Sequence, residues 1–219
     1  MIKKLIVLTL AVVATGCAGV KNMPLSADAG PMIEGRQLSG VSREKPDFIA
    51  TTPGNSMFGA VGVIAMVKTG NKLVKENNIE DPAGRIYDIL ADAMAQEHKL
   101  VLLDDNTVTA EGNDVEELTA QVNDSRLLLD VQTLGWKFLN FPLNFSKYQV
   151  GYGVRMKLVD TSTNEILAEA QCGQASPEEV EQAPTHDELL ANNASLLKQK
   201  LREAADHCAN EFKVNTLML

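Results

Sequence analysis

Two alternating runs in the second half of the chain constrain the fold most strongly. From Tyr148 to Leu158, every second residue is apolar, and the residues between are polar or glycine. This period of two predicts a β-strand over 148–160 with one face on a core and the other in water. A tight turn is predicted over 161–164, followed by a returning strand over 165–172. The runs therefore predict a half-covered antiparallel sheet.

Segments with helical periodicity precede and follow these strands in the sequence. Asp81-Pro82 pairs an N-cap residue with proline at the first helical position, and the amphipathic helix that follows is predicted to end near His98. A capping box that begins at Thr185 opens a long final helix, whose apolar stripe reaches Phe212. Between these helices, the pattern predicts a strand over 99–103, a short helix over 113–122 and a strand over 126–138.

This order of elements predicts an α/β (α+β) fold. We expect a two-layer sandwich, in which two main helices cover one face of a mixed, mostly antiparallel sheet of about four strands. The domain is expected over 81–213, with a tail over 214–219. The element order resembles the periplasmic α/β domain of the curli-secretion lipoprotein family and the N-terminal domain of the Tol-system propeller protein. Because one fold hosts many functions, this resemblance implies a fold only.

The first residues of the chain have the composition of a signal peptide. A basic start at Lys3 and Lys4 precedes nine apolar residues from Leu5 to Val13 and then small residues. Nine apolar residues are too few to span a bilayer, which takes about 20. Residues 1–16 are therefore predicted to direct secretion and to be removed.

The residues Ala14-Thr15-Gly16-Cys17 resemble the lipobox of bacterial lipoproteins. The resemblance implies that Cys17 receives diacylglycerol and an N-terminal acyl chain such as palmitate, with no other cofactor. Ala18 in place of Asp implies sorting to the outer membrane under the enterobacterial rule. Ordinary secretion without lipid is the alternative.

Charge and composition limit the partners. The chain has 20 Lys and Arg against 29 Asp and Glu, and without Lys3 and Lys4 the mature charge is −11. Nucleic acid is excluded, because phosphate binding needs clustered positive charge. A negatively charged domain also does not bind anionic lipid, so the acyl chains must supply the membrane binding. Three Cys and three His are too few and too scattered for a zinc module, so no metal is expected.

The region before the domain divides into two segments. Residues 17–56 are rich in Pro and Gly without an apolar period, which predicts a lipid-anchored flexible tether. Residues 57–80 are predicted to form a helical segment that begins with the apolar run MFGAVGVIAMV over 57–67. This run either packs on the domain, where its glycines allow close approach, or touches the membrane or a second copy in an oligomer.

Cys172 and Cys208 are the strongest candidate pair. Cys172 continues the apolar face of its strand, and Cys208 lies on the apolar stripe of the last helix, so the two faces should meet. An oxidising compartment favours a disulfide between them. Two buried thiols, or a reactive Cys208 beside His207, are the alternatives.

Aromatic residues are concentrated where two predicted strands join. Five of the ten lie within thirteen residues around Pro142: Trp136, Phe138, Phe141, Phe145 and Tyr148. Either they form a small core over the sheet, or they form an exposed patch for a partner or lipid. We expect burial for Trp136 and Tyr148, at strand ends, and exposure for Phe141 and Phe145, where the chain turns.

No catalytic or nucleotide-binding motif is present in the sequence. We expect a non-enzymatic lipoprotein of the outer membrane that faces the periplasm and acts as an accessory, assembly or protein-interaction component, with an envelope protein as partner. The chain also resembles uncharacterised proteobacterial lipoproteins. The alternative is a carrier of a small apolar ligand or lipid in a cleft near the aromatic loop 136–148.

Overall fold

The structure is a computed structural model that describes residues 22–52, 54, 59–103, 108–110, 112–176 and 179–219. In chain order, the elements of this part are α1 (Gly30–Ile33), β1 (Gln37–Arg43), β2 (Phe48–Ala50), α2 (Gly59–Glu76), α3 (Pro82–His98), β3 (Val101–Leu102), β4 (Val108–Ala110), α4 (Val115–Thr119), β5 (Leu127–Phe141), β6 (Asn144–Asp160), β7 (Glu165–Ala175) and α5 (His186–Asn215). The chain is thus a mixed α/β fold with five α-helices and seven strands in the described residues.

The seven strands form one mixed sheet with the order β3-β1-β5-β6-β7. The long strands β5, β6 and β7 are antiparallel neighbours, as predicted. On the other side of β5, β1 and β2 pair in parallel with different parts of this strand, and β4 also pairs in parallel with β1. The predicted number of four strands is therefore too small. The strands that were not predicted, β1, β2 and β4, have three to seven residues and are too short or too irregular to show a period of two.

The predicted tether over 17–56 is wrong for the described residues 22–52. These residues contribute β1 and β2 to the sheet, and Ile33, Leu38 and Phe48 are fully buried in the core. The tail predicted over 214–219 also joins the domain, because Leu217 is buried. Neither segment shows a sustained apolar period, and only their long-range contacts distinguish them from linkers.

The main core lies between one face of the sheet and the helices α3 and α5. The apolar residues that alternate along β6, from Tyr148 to Leu158, all point into it, as the sequence predicts. The opposite face is mostly polar, but β4 and α4 cover part of it around Leu128 and Val159. The sandwich therefore has two main layers and a small third one, which the sequence did not predict.

The helix caps follow the prediction. The Asp81 side chain accepts a hydrogen bond from the amide of Ala83 at the start of α3, and Thr185 and Glu188 form the capping box of α5. However, α5 is interrupted at 191–194, where Asn192, Asn193 and Ala194 have φ of 51°, 58° and 56°. Asn tolerates this left-handed region better than most residues do, so a local Asn pair breaks the predicted single helix.

The helix α2 packs on β2 through Gly70. A Cβ atom at this position would lie 1.9 Å from the carbonyl oxygen of Phe48, so the contact requires glycine. Gly62 is buried, whereas Val63 and Ile64 are 52% and 73% exposed. Met57 and Phe58 of the predicted segment lie outside the described residues. An oligomer formed through 57–67 stays a prediction.

Candidate functional site

Three of the five clustered aromatic residues belong to the core. Trp136, Phe138 and Tyr148 are at most 1% exposed. The rings of Trp136 and Phe138 lie edge-on to Phe48 of β2, at centroid distances of 5.1 and 5.9 Å. The indole Nε1 of Trp136 donates a 2.8 Å hydrogen bond to the carbonyl of Pro46. These contacts confirm the predicted burial of Trp136 and Tyr148.

The other two aromatic residues lie at the end of the β5–β6 hairpin, where the chain turns over Pro142 and Leu143. We call residues 141–145 the hairpin tip. Leu143 is 99% exposed and Phe145 is 58% exposed, while Phe141 is half-buried. The predicted exposure is therefore confirmed for Phe145 and only partly correct for Phe141. Leu143, the most exposed of these apolar side chains, was not among the predicted residues because single apolar loop residues are common on protein surfaces.

Hydrogen bonds give the hairpin tip a defined shape. The side-chain oxygen of Asn144 accepts bonds from the amide and hydroxyl of Ser146, at 3.3 and 2.7 Å. On the other strand, the amide of Asn140 donates a 2.8 Å bond to the hydroxyl of Thr51. The tip is thus an ordered apolar projection of the sheet.

The predicted disulfide between Cys172 and Cys208 is present. It joins β7 to α5, with 5.6 Å between the two Cα atoms, and the Cys208 side chain is fully buried. The apolar faces of the strand and the helix meet as the periodicity indicates. The alternatives of two free thiols and of a reactive Cys208 beside His207 are therefore wrong.

A cleft of about 410 Å³ opens where β1 leaves β5, beside the start of α3. Two internal networks engage some of its polar groups. The guanidinium of Arg43 forms a two-pronged ion pair with the buried carboxylate of Asp130, at 2.6 and 2.8 Å. Thr133 hydrogen-bonds the Asp81 carboxylate and lies 3.1 Å from the hydroxyl of Tyr152.

These networks stabilise the fold, because each buried polar group has a partner inside the protein. Burial raises the pKa of Tyr152 far above its ordinary value, so this phenol stays protonated and neutral. This cluster was not predicted from the sequence. The signal was a single charged residue, Asp130, inside the apolar run of β5.

Asp160 at the end of β6 forms a second partly buried ion pair. Its carboxylate accepts a 2.6 Å bond from Arg126 and two 2.9 Å bonds from Ser162. Burial alone would raise the pKa of Asp160, but the bonds from Arg126 and Ser162 outweigh it and hold this pKa below its usual value.

In the described residues, the cleft beside the predicted carrier site at 136–148 has mixed walls, with apolar Pro46, Val74 and Ile79 among more numerous polar residues. Trp136 borders a cleft of about 630 Å³ whose other walls are chiefly polar or charged, with Lys45, Asp47, Asn71, Lys75 and Glu80 among them. The rings of Phe138 and Tyr148 are both buried and pack edge-to-face below the hairpin, with 5.7 Å between their centroids. The geometry therefore favours contact at the hairpin tip over a ligand cavity beneath it.

The lipobox at 14–17, with Cys17, lies outside the described residues. None of the helices within the described ranges is long and apolar enough to cross a bilayer. In the same ranges, no three His, Cys, Asp or Glu side chains are grouped as a metal site would require. Lipidation of Cys17 and the expected lack of catalysis stay predictions.

No family model and no curated protein matches the chain. Among solved structures, it is similar to the PelC dodecamer from Paraburkholderia phytofirmans, with 15% identity, a TM-score of 0.33, and coverage of 84% of this chain and 96% of that chain. It is also similar to XCC0632, a DUF330 protein from Xanthomonas campestris (12% identity, TM-score 0.38, coverage 88% and 91%), and to lipoprotein GNA1162 from Neisseria meningitidis (11%, 0.25, 80% and 99%). All three are bacterial proteins, and likenesses this distant assign neither a family nor a function.

Proposed function

We propose that the chain is a lipoprotein anchored in the outer membrane through Cys17, with its folded domain facing the periplasm. It acts as an accessory or assembly component, by contact with other components of the envelope and without catalysis. The acyl chains on Cys17 are its only prosthetic groups. The sequence around Cys17 supports the anchor, and the geometry of the domain supports the mode of action.

The observation that carries this proposal is the hairpin tip. Leu143 and Phe145 are large apolar side chains held in water at the end of an ordered hairpin, while three aromatic neighbours are buried. Single exposed apolar residues are common on protein surfaces, but here two large ones lie together at one projecting turn. Exposed apolar projections are typical of surfaces that bind another component.

The charged groups of the central cleft fit the same proposal. A catalytic group needs a proton or an electron pair that it can exchange with a substrate. The carboxylates of Asp81 and Asp130 accept hydrogen bonds from Thr133 and Arg43, respectively. Groups engaged in this way stabilise the domain and favour a binding protein over an enzyme.

Two measurements test the proposal in cells that produce the full chain. A fatty-acid analogue should label the wild type and leave Cys17→Ser unlabelled, since an oxygen cannot form the thioether. Equal labelling of both proteins would contradict the anchor.

A photo-crosslinking amino acid placed at Leu143 should form adducts with envelope components. The matched control is Thr163, an exposed residue in the β6–β7 turn at the opposite end of the sheet. Equal adduct yields at the two positions would contradict the tip as the contact surface.

A further inference from the structure

The outer edge of β7 is only partly covered. This strand stands last in the sheet order, so among the described residues its outer edge is paired only through a single bridge at Met23. There, the amide of Met23 donates a 2.7 Å hydrogen bond to the carbonyl of Glu169, and the amide of Glu169 donates a 2.9 Å bond to the carbonyl of Met23. The two residues thus form a complete hydrogen-bonded pair of an antiparallel ladder.

Beyond Glu169, the strand β7 presents the same kind of backbone groups. Hydrogen-bonded pairs recur at every second residue of an antiparallel ladder, so the amides and carbonyls of Gln171 and Gly173 point outward like those of Glu169. The amide of Ser176, at an even-numbered position, donates to the carbonyl of Val150 in β6, which agrees with this alternation. An open edge of this kind is a template for an added strand.

The chain that precedes Met23 is placed to fill this edge. Because the bridge is antiparallel, a continuation of it places Lys21 opposite Gln171. Two residues earlier, the same course places Gly19 opposite Gly173. Gln171 and Gly173 are both exposed, so the described part of the chain leaves this stretch of the edge accessible.

The side chains of this segment match the surface that they would meet. Asn22, the first described residue, lines a cleft of about 210 Å³ between β7 and α5, together with Cys172 and Phe212. Because side chains alternate along a strand, Val20 would enter the same cleft beside Cys172. Typical small-molecule sites have about 300–1,000 Å³, so this smaller cleft suits one aliphatic side chain better than a ligand.

Charge and composition favour the same register. On the other face of the added strand, Lys21 would lie diagonally opposite Glu169, where opposite charges attract across a sheet. The sequence from Ala18 to Asn22 contains no proline, which would remove a donor from the ladder, and no acidic residue. Residues 18–21 themselves lie outside the described ranges.

We propose that residues 18–22 add an antiparallel strand to the outer edge of β7, with Lys21 opposite Gln171 and Val20 packed in the cleft beside the disulfide. For the Cys17 anchor of the proposed function, on which this consequence rests, the pairing leaves no free linker. It seats Cys17 at the edge of the sheet and holds the β7 edge against the bilayer surface.

Cross-linking tests the register in the full lipidated chain. Lys21→Cys combined with Gln171→Cys places two sulfur atoms across a hydrogen-bonded pair, with about 5.5 Å between the Cα atoms, a distance that a disulfide can bridge. We expect mild oxidation to link them within one chain, and peptide mapping separates this bond from that of Cys172 and Cys208. The matched control is Lys21→Cys with Gly173→Cys. Its Cα atoms would lie more than about 7 Å apart, so the yield should be several-fold lower.

Amide hydrogen exchange tests the same pairing without added cysteines. The amides of Gln171 and Gly173 should be protected in the wild type. Lys21→Pro removes the amide that donates to Gln171 and should speed the exchange of both several-fold. Lys21→Ala keeps that amide and should leave the protection in place. An unchanged rate at Val154, in the centre of the sheet, shows that the fold is intact.

Two results would overturn the added strand: equal yields for the two cysteine pairs, or exchange of Gln171 and Gly173 at the rate of a free peptide. If that protein floats with phosphatidylcholine vesicles, the anchor still stands. Disulfide-linked dimers formed in high yield by Gln171→Cys alone would identify a second copy at this edge and also overturn the proposal. A chain that forms the link between positions 21 and 171 but does not float would contradict the anchor, and with it the contact of the edge with the bilayer.

Discussion

Reduction of the disulfide between Cys172 and Cys208 should destabilise the domain through its unfolded state. The bond joins residues separated by 36 positions. In the chain-entropy model, a closed loop of this length removes unfolded-state entropy worth about 4 kcal/mol at 25 °C. Reduction leaves both sulfur atoms in place, with Cys208 still buried, so the packing between β7 and α5 hardly changes.

This loss predicts a large change in melting temperature. For a domain of this size, 1 kcal/mol corresponds to about 2–4 °C, so reduction should lower Tm by about 8–16 °C. The urea m value should rise at the same time, because the reduced chain unfolds to a more expanded state. Thermal and urea denaturation of the oxidised and reduced protein, followed by circular dichroism, measure both quantities.

The variant with Cys172→Ala and Cys208→Ala is the matched control, since reductant should leave its stability unchanged. If reduction cost the wild type less than about 1 kcal/mol, the entropy argument would be refuted for this loop. An equal loss in the double variant would show that the reductant acts elsewhere.

Three further changes follow from packing and charge. Gly70→Ala should cost about 1–3 kcal/mol in urea unfolding, because its Cβ meets a backbone oxygen of β2; a neutral result would contradict the close approach. Phe138→Ala should cost about 3–5 kcal/mol and Phe145→Ala under about 0.5 kcal/mol, so similar losses would contradict their different burial. Asp160, whose pKa is lowered by folding, stabilises the domain above about pH 4 and loses that effect as pH falls through its folded pKa. Asp160→Asn should therefore flatten the acid limb of a stability–pH curve, and an unchanged limb would rule out this contribution.

Long periodic elements could be predicted from the sequence, and short ones could not. The strand β6 and the helix α3 each repeat one period several times, so their buried faces were predicted correctly. The apolar faces of β7 and α5 could be predicted in the same way, and with them the disulfide between these two elements. The strands β2 and β4 have three residues each, and β1 contains Gly40 beside the ring of Tyr87. Their place in the sheet depends on neighbours far along the chain, which a local pattern does not contain.

The candidate site was predictable to a similar extent. The concentration of aromatic residues located the hairpin, and the position of each residue relative to the turn separated buried Tyr148 from exposed Phe145. The polar cluster of Arg43, Asp130 and Thr133 was not predictable, because it joins β1 to β5. A buried carboxylate in an apolar strand indicates that a partner exists, but the sequence does not identify that partner.

Because residues 22–52 belong to the folded domain, the domain has a shorter connection to Cys17 than the predicted tether would give. A tether of about 40 residues would allow the domain to move more than about 100 Å from the membrane, whereas the five steps after Cys17 allow about 18 Å. With Cys17 lipidated as proposed, any envelope component that the domain contacts must lie within about 18 Å plus the length of the domain from the bilayer, and that length is roughly 50 Å along β6. Under this constraint the orientation of the domain matters more than its tether, because it decides which surface remains free for a partner.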